Sequence, residues 1–117
     1  MNNLQLEALL TREIGFLEQL NQVSLTKRDI LVRNDVDALE KIVIEEEQLV
    51  QKFKEVDDEC LPQIQSFLQD NFDKLSLPAN IKEMLIEVRQ LAVQLQVNNQ
   101  FNQELMVDAL GLLRFML

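Results

Sequence analysis

PANIKEMLIEVRQLAVQLQVNNQFNQELMVDALGLLRFML, residues 78–117, is the stretch whose reading decides the fold. It runs 40 residues with a proline at its front and neither a further proline nor strand-like alternation behind it. A single α-helix of that length would extend roughly 60 Å at about 1.5 Å per residue. Steps of four and three pick out Ile81, Leu85, Val88, Ala92, Leu95, Asn99, Asn102, Met106, Ala109, Leu113 and Met116, and a second stripe adds Met84, Leu91, Leu105 and Leu112. This period belongs to a helix that buries a seam against other helices. Asn99 and Asn102 interrupt the seam, and from Leu105 the pattern is apolar nearly all round and still running at Leu117. The native protein is therefore expected to continue beyond Leu117. The third helix is the element about which the rest of the chain is expected to be arranged.

Working back towards the N-terminus, Asp70-Asn71-Phe72-Asp73 and Ser76-Leu77-Pro78 supply turn and capping residues for a loop into this helix. The segment before that loop carries Leu39, Ile42, Val43, Leu49, Val50, Phe53, Val56 and Cys60 at helical spacing. Pro62 lacks an N–H and clashes with the preceding turn, so an interruption is expected there. The second helix then reads as about 36–60 with a short continuation over about 63–70. Asn34-Asp35-Val36-Asp37 marks its start: Asn and Asp are strong N-cap residues, and acidic groups suit a helix's first turn. Ahead of it, Leu6, Leu9, Leu10, Ile14, Leu17, Leu20 and Leu31 define a first helix over about 4–33, with Glu13, Ser24 and Lys27 read as residues at the seam's edge. Gly15 within it is either a site of close helix approach or a tolerated glycine. So short a connection near Asn34 makes the two helices antiparallel neighbours. The predicted fold is all-α, an elongated antiparallel three-helix bundle forming one helical domain.

Composition removes much chemistry. The 117 residues include no histidine, one cysteine and two glycines. His-based triads, HExxH zinc sites and di-iron ExxH sites are thereby excluded, as are P-loops, Rossmann turns and EF-hand loops. Cys60 reads as a small buried residue. No enzyme, no metal and no cofactor is expected. No apolar run reaches the length of a membrane span, and no signal peptide opens the chain, so the expected location is cytoplasmic.

The net charge of −9 lies wholly in residues 34–73, which hold twelve acidic and three basic side chains. Glu45-Glu46-Glu47 and Asp57-Asp58-Glu59 are the clusters. They read either as a solvated face or as an electrostatic guide for a basic partner. Nucleic acid is a poor partner, because Lys27-Arg28 alone make no phosphate track. Val107, Leu110 and Phe115 lie off the main stripe; together with Asn99, Asn102 and Leu117 they form the candidate partner-binding set. Asn at a seam position either sets helix register or bonds a partner directly.

Leu9-Leu10-x-x-Glu13-x-x-x-Leu17-x-x-Leu20, Arg28-Asp29-x-Leu31-Val32-x-x-Asp35-Val36-x-x-Leu39-Glu40-x-Ile42 and Glu45-Glu46-x-x-Leu49, with the late Asn99-x-x-Asn102-x-x-Leu105, resemble the FlgN-like flagellar export chaperones. The resemblance covers nearly the whole chain. It implies a cytoplasmic, helical, non-enzymatic chaperone that binds hook-associated proteins of the hook–filament junction and keeps them from assembling before type III export. It also implies that the C-terminal region holds an amphipathic helical segment of the client. Family members usually continue past the position of Leu117. The alternative reading is a homo-oligomeric coiled-coil scaffold or adaptor, a homodimer in its simplest form, whose off-seam residues meet their own copies.

Overall fold

Three long helices follow one another in the computed structural model, which describes residues 3–70 and 78–116, with side chains over 4–69 and 78–106. They are α1 (Asn3–Arg33), α2 (Val36–Asp70) and α3 (Ala79–Met116). The principal extents are 61 × 23 × 18 Å and the radius of gyration is 18.2 Å. A globular chain of this length would have a radius nearer about 13 Å. The molecule is a rod one helix long.

Two residues make the hairpin between α1 and α2. Asn34 takes the left-handed conformation, φ 56°, which asparagine tolerates better than most side chains. Its N–H bonds Leu31 O at 3.2 Å and the Asp35 N–H bonds Ile30 O at 3.3 Å, the pair of bonds that closes a Schellman motif. Asp35 then begins α2: its Oδ1 accepts from Ala38 N at 3.1 Å, while its carbonyl accepts from Leu39 N at 3.0 Å. Asn34 ends one helix and Asp35 caps the next. At the other junction Pro78 O accepts from Lys82 N at 3.0 Å, which opens α3. The expected turn over Asp70–Asp73 and capping by Ser76 fall largely on residues 71–77, outside the described residues.

The expected interruption near Pro62 does not occur, and α2 runs through the proline to Asp70. Proline removes its own N–H bond and its ring crowds the carbonyl one turn before, but Pro62 is exposed, so water can reach the carbonyl that is freed. Val56 and Cys60 before it and Phe67 after it are all buried, which holds both sides of the proline on the same core.

Two further expectations are corrected. The central element is α1, not α3: it packs against both other helices, while among the described residues α2 and α3 nowhere bring Cα atoms within 8 Å of each other. The connected neighbours are antiparallel, so α1 and α3 run parallel, as the pairs Glu7–Asn80 and Ser24–Asn102 show. The inner face of α3 draws on both stripes: Ile81, Leu85, Val88, Leu95 and Asn102 of the first face inward with Met84, Leu91 and Leu105 of the second. Among the described residues only Ala92, Asn99 and Met106, which are exposed, depart from the expected seam, and Asn98 is buried. Asn98 and Asn102 fix which face turns inward, because their partners lie on α1.

The core is divided along the rod. At the end far from the hairpin, Leu6, Leu9 and Leu10 of α1, Cys60 and Phe67 of α2 and Ile81 of α3 form one cluster shared by all three helices. At the hairpin end the cluster of Val23, Ile30 and Ile42, flanked by Leu39, Val43 and Leu49, joins α1 to α2 alone. Gly15 has no atom within 4 Å of where a Cβ would stand, so it serves no close helix approach.

Candidate functional site

At the hairpin end α3 is held to α1 by side-chain amides. Asn21 Nδ2 donates to Leu91 O at 3.1 Å and to Leu17 O at 3.1 Å, and Asn98 Nδ2 donates to Asn21 Oδ1 at 3.2 Å. One step along, Asn102 Nδ2 donates to Ser24 O at 2.8 Å and to Ser24 Oγ at 3.1 Å, and Ser24 Oγ donates to Asn99 Oδ1 at 3.0 Å. Arg28 completes the row: Nη2 donates to Asn98 Oδ1 at 3.2 Å and Nε to Asn102 Oδ1 at 3.3 Å. Its guanidinium also lies 4.3 Å from the centre of the Phe101 ring, a cation–π contact. Asn21, Ser24 and Arg28 follow the seam spacing on α1, as Asn98 and Asn102 do on α3. Every amide of Asn21, Asn98 and Asn102 is used in both directions, which is the condition for burying it at small cost. A network of this kind fixes one register between two parallel helices.

Asn102, one of the candidate partner residues, is thus turned inward and spent on α1, with Ser24 and Arg28 as its partners. Asn99 is exposed and gives only its Oδ1 to Ser24. For Val107, Leu110 and Phe115 the structure describes the helical backbone alone, and Leu117 lies outside the described residues. Ser24 and Glu13, expected at the seam's edge, are buried. Lys27 does sit at an edge, bonded to Glu46 Oε1 across to α2 at 3.1 Å.

Because α2 and α3 stay apart, a groove of ≈ 360 Å³ opens between them at this end; a groove on the C-terminal helix is what the sequence leads one to expect, but its α2 wall is not. Leu20 and Lys27 of α1 lie at its floor, and Glu46 and Val50 line it from α2. From α3 come Leu95, Asn99, Asn102, Gln103 and Met106. Met106, 38% exposed, therefore forms a groove wall rather than core. The row Ala92, Asn99, Met106, part of the seam expected from the sequence, follows the groove side of α3. Its spacing was the available signal.

The walls differ in charge. Helix α2 carries ten acidic and three basic residues, whereas α3 has no charged side chain from Gln90 to Gln103. The groove itself keeps one ion pair, Lys27–Glu46. On the opposite side of α3 a second, shallower apolar strip is exposed, formed by Ile86, Val93, Val97 and Phe101.

A different polar group lies deeper. Glu13 is 3% exposed beside Asp57 and Cys60, and its Oε2 has no hydrogen-bond partner. Burial, reinforced by the Asp57 carboxyl, pushes the Glu13 carboxyl up to about 7. Burial also pushes the Cys60 thiol up to about 12, with Glu13 adding to it, so the thiolate chemistry of a reactive cysteine is absent at neutral pH. Among the described residues no group of His, Cys, Asp and Glu is arranged to hold a metal ion, and no helix is long and apolar enough to cross a membrane.

Comparison with known families decides where this geometry belongs: the profile described as "FlgN protein" matches residues 1–117, the whole chain. The chain belongs to the FlgN family. That family is one of flagellar export chaperones, proteins whose chemistry is the holding of another chain. Comparison with curated proteins and with solved structures gives no match.

Proposed function

We propose that this protein is a cytoplasmic export chaperone for hook-associated flagellar proteins, the components of the hook–filament junction, and that it holds an amphipathic helical segment of the client against its C-terminal helix. The observation that carries this reading is the groove between α2 and α3, open on a chain that belongs to an export chaperone family. Burying a Leu or Phe side chain stabilises a complex by roughly 1.5–3 kcal/mol, and a few such residues hold a client without nucleotide or covalent chemistry. A segment held this way cannot pair with other subunits before export.

The client contact is proposed to begin at Asn99 and to continue along α3 through Val107, Leu110, Phe115 and Leu117, with Asn102 acting by holding α3 in place. The test is to mix the protein with hook-associated proteins and look for a stoichiometric complex. Changing Leu110 and Phe115 together to polar residues is expected to weaken that complex by several kcal/mol while the thermal melt barely moves. Absence of any complex overturns the reading.

The exposed strip of Ile86, Val93, Val97 and Phe101 supports a second reading, a homo-oligomeric scaffold in which copies meet through the outer face of α3. Mass in solution separates the two. A monomer at all concentrations rules out the scaffold.

A further inference from the structure

The groove has two unlike sides, and that asymmetry describes the helix that fits it. From Leu95 to Met106 its α3 wall spans eleven residue steps, roughly 16 Å or three helical turns. A volume of ≈ 360 Å³ is too small for a helix backbone, so it takes the side chains of one helix face. Leu20, Val50, Leu95 and Met106 offer those side chains an apolar bed. The occupant would lie above α1, between α2 and α3, in the fourth position of a four-helix arrangement.

Its flanks meet different surfaces. One lies along α2 where Glu46 and Val50 line the groove; residues 45–55 there hold four acidic and two basic side chains, a net charge of −2. Glu46 there is satisfied by Lys27, while Glu45 and Glu47 on either side of it are exposed. The other flank lies along the charge-free run of α3, where Asn99 and Gln103 present amides. A carboxylate on the first flank would be repelled. A charge on the second would be moved out of water towards neutral amides.

Resting on the chaperone reading above, we infer that the groove takes a helix polarised across its width: apolar residues at i, i+3 or i+4, and i+7 on the buried face, lysine or arginine along the edge facing α2, and uncharged amide or hydroxyl residues along the edge facing α3. The α2 wall thereby selects among amphipathic helices, and helices with acidic edges are refused.

Three synthetic helical peptides with one common apolar face test this against the full chain. Their edges are Lys and Gln, Gln and Gln, and Glu and Gln. The Lys/Gln peptide is expected to bind tightest and the Glu/Gln peptide at least tenfold more weakly. The gap should shrink several-fold between low and high salt, as screening of exposed charges requires. Met106→Glu, at a partly exposed groove position, should weaken the Lys/Gln peptide at least tenfold with an unchanged melting temperature. Equal affinities, a reversed order, no binding by any peptide, or indifference to Met106→Glu overturns the inference, as does a doubled mass of the free protein that the peptides reduce, which would make a second copy the occupant. A pull-down of hook-associated proteins in parallel keeps the two claims apart. If Met106→Glu still captures them, the groove inference falls and the chaperone reading stands. If the unaltered chain captures none while the peptides behave as expected, the chaperone reading falls and the selectivity of the groove stands.

Discussion

The two ends of the rod solve the same packing problem differently. At the far end three helices share one apolar cluster around Phe67, Leu6, Leu10 and Ile81. At the hairpin end α2 is attached to α1 by apolar side chains, while α3 is attached by Asn21, Ser24 and Arg28 bonding Asn98, Asn99 and Asn102. Apolar burial is non-directional and draws every helix inward, which closes the bundle. Hydrogen-bonded amides hold a helix at one register without needing a third helix beside them. The far end is therefore closed by all three helices, and the hairpin end keeps an open groove between α2 and α3.

The largest expected effect tests the closed end. Phe67→Ala removes the biggest fully buried side chain, where all three helices meet, and should cost about 3–5 kcal/mol in a denaturant melt. A loss below 1 kcal/mol would mean that the three helices do not share that core. Asn102→Ala comes next, about 1–3 kcal/mol, because Ser24 O and the Arg28 guanidinium lose a buried partner. If the variant is as stable as the parent, the amide row does not hold α3.

Glu13 lies between the two ends and gives the comparison a pH dependence. Its folded pKa of about 7 lies above the ordinary 4.5, so its protonated form is the one compatible with burial. Its contribution is fully present below pH 4.5 and is lost as pH rises through about 7. Glu13→Gln should therefore raise stability at pH 8 by about 1–3 kcal/mol and flatten the profile between those values, as read from urea melts across pH. An unchanged profile would remove Glu13 as its source. The smallest effect is at the hairpin itself. Asp35→Ala removes the cap on Ala38 N and should cost about 1 kcal/mol in a thermal melt, with no change in α3.

Much of this was legible in residue spacing. The break at Asn34-Asp35, the elongated three-helix rod and the burial of Cys60 follow from turn chemistry and from the apolar period. What could not be read was which helix lies in the middle, since all three carry apolar stripes and centrality depends on having two. The edge of the α3 seam was missed for a related reason. Ala92 and Met106, which face outward, are as apolar as many residues that face inward, so hydrophobicity cannot place the edge of the seam. The choice belongs to Asn98 and Asn102, through Asn21, Ser24 and Arg28, residues about 75 positions away that periodicity does not link. Pro62 reads as a break in isolation, but Val56 and Cys60 before it and Phe67 after it are buried anchors that keep the helix running through it. The groove had a trace in the sequence, the Ala92-Asn99-Met106 row, but a row that lines a groove looks the same as one that fills a core.

Methyl NMR of the full chain during titration with a hook-associated protein tests the central claim most directly. Val50, Leu95 and Met106 report on the groove, and Ile86, Val93 and Val97 on the outer face of α3. The groove methyls are expected to shift with client concentration while the outer-face methyls stay still. Shifts confined to Ile86, Val93 and Val97, with Val50, Leu95 and Met106 unmoved, would contradict the account.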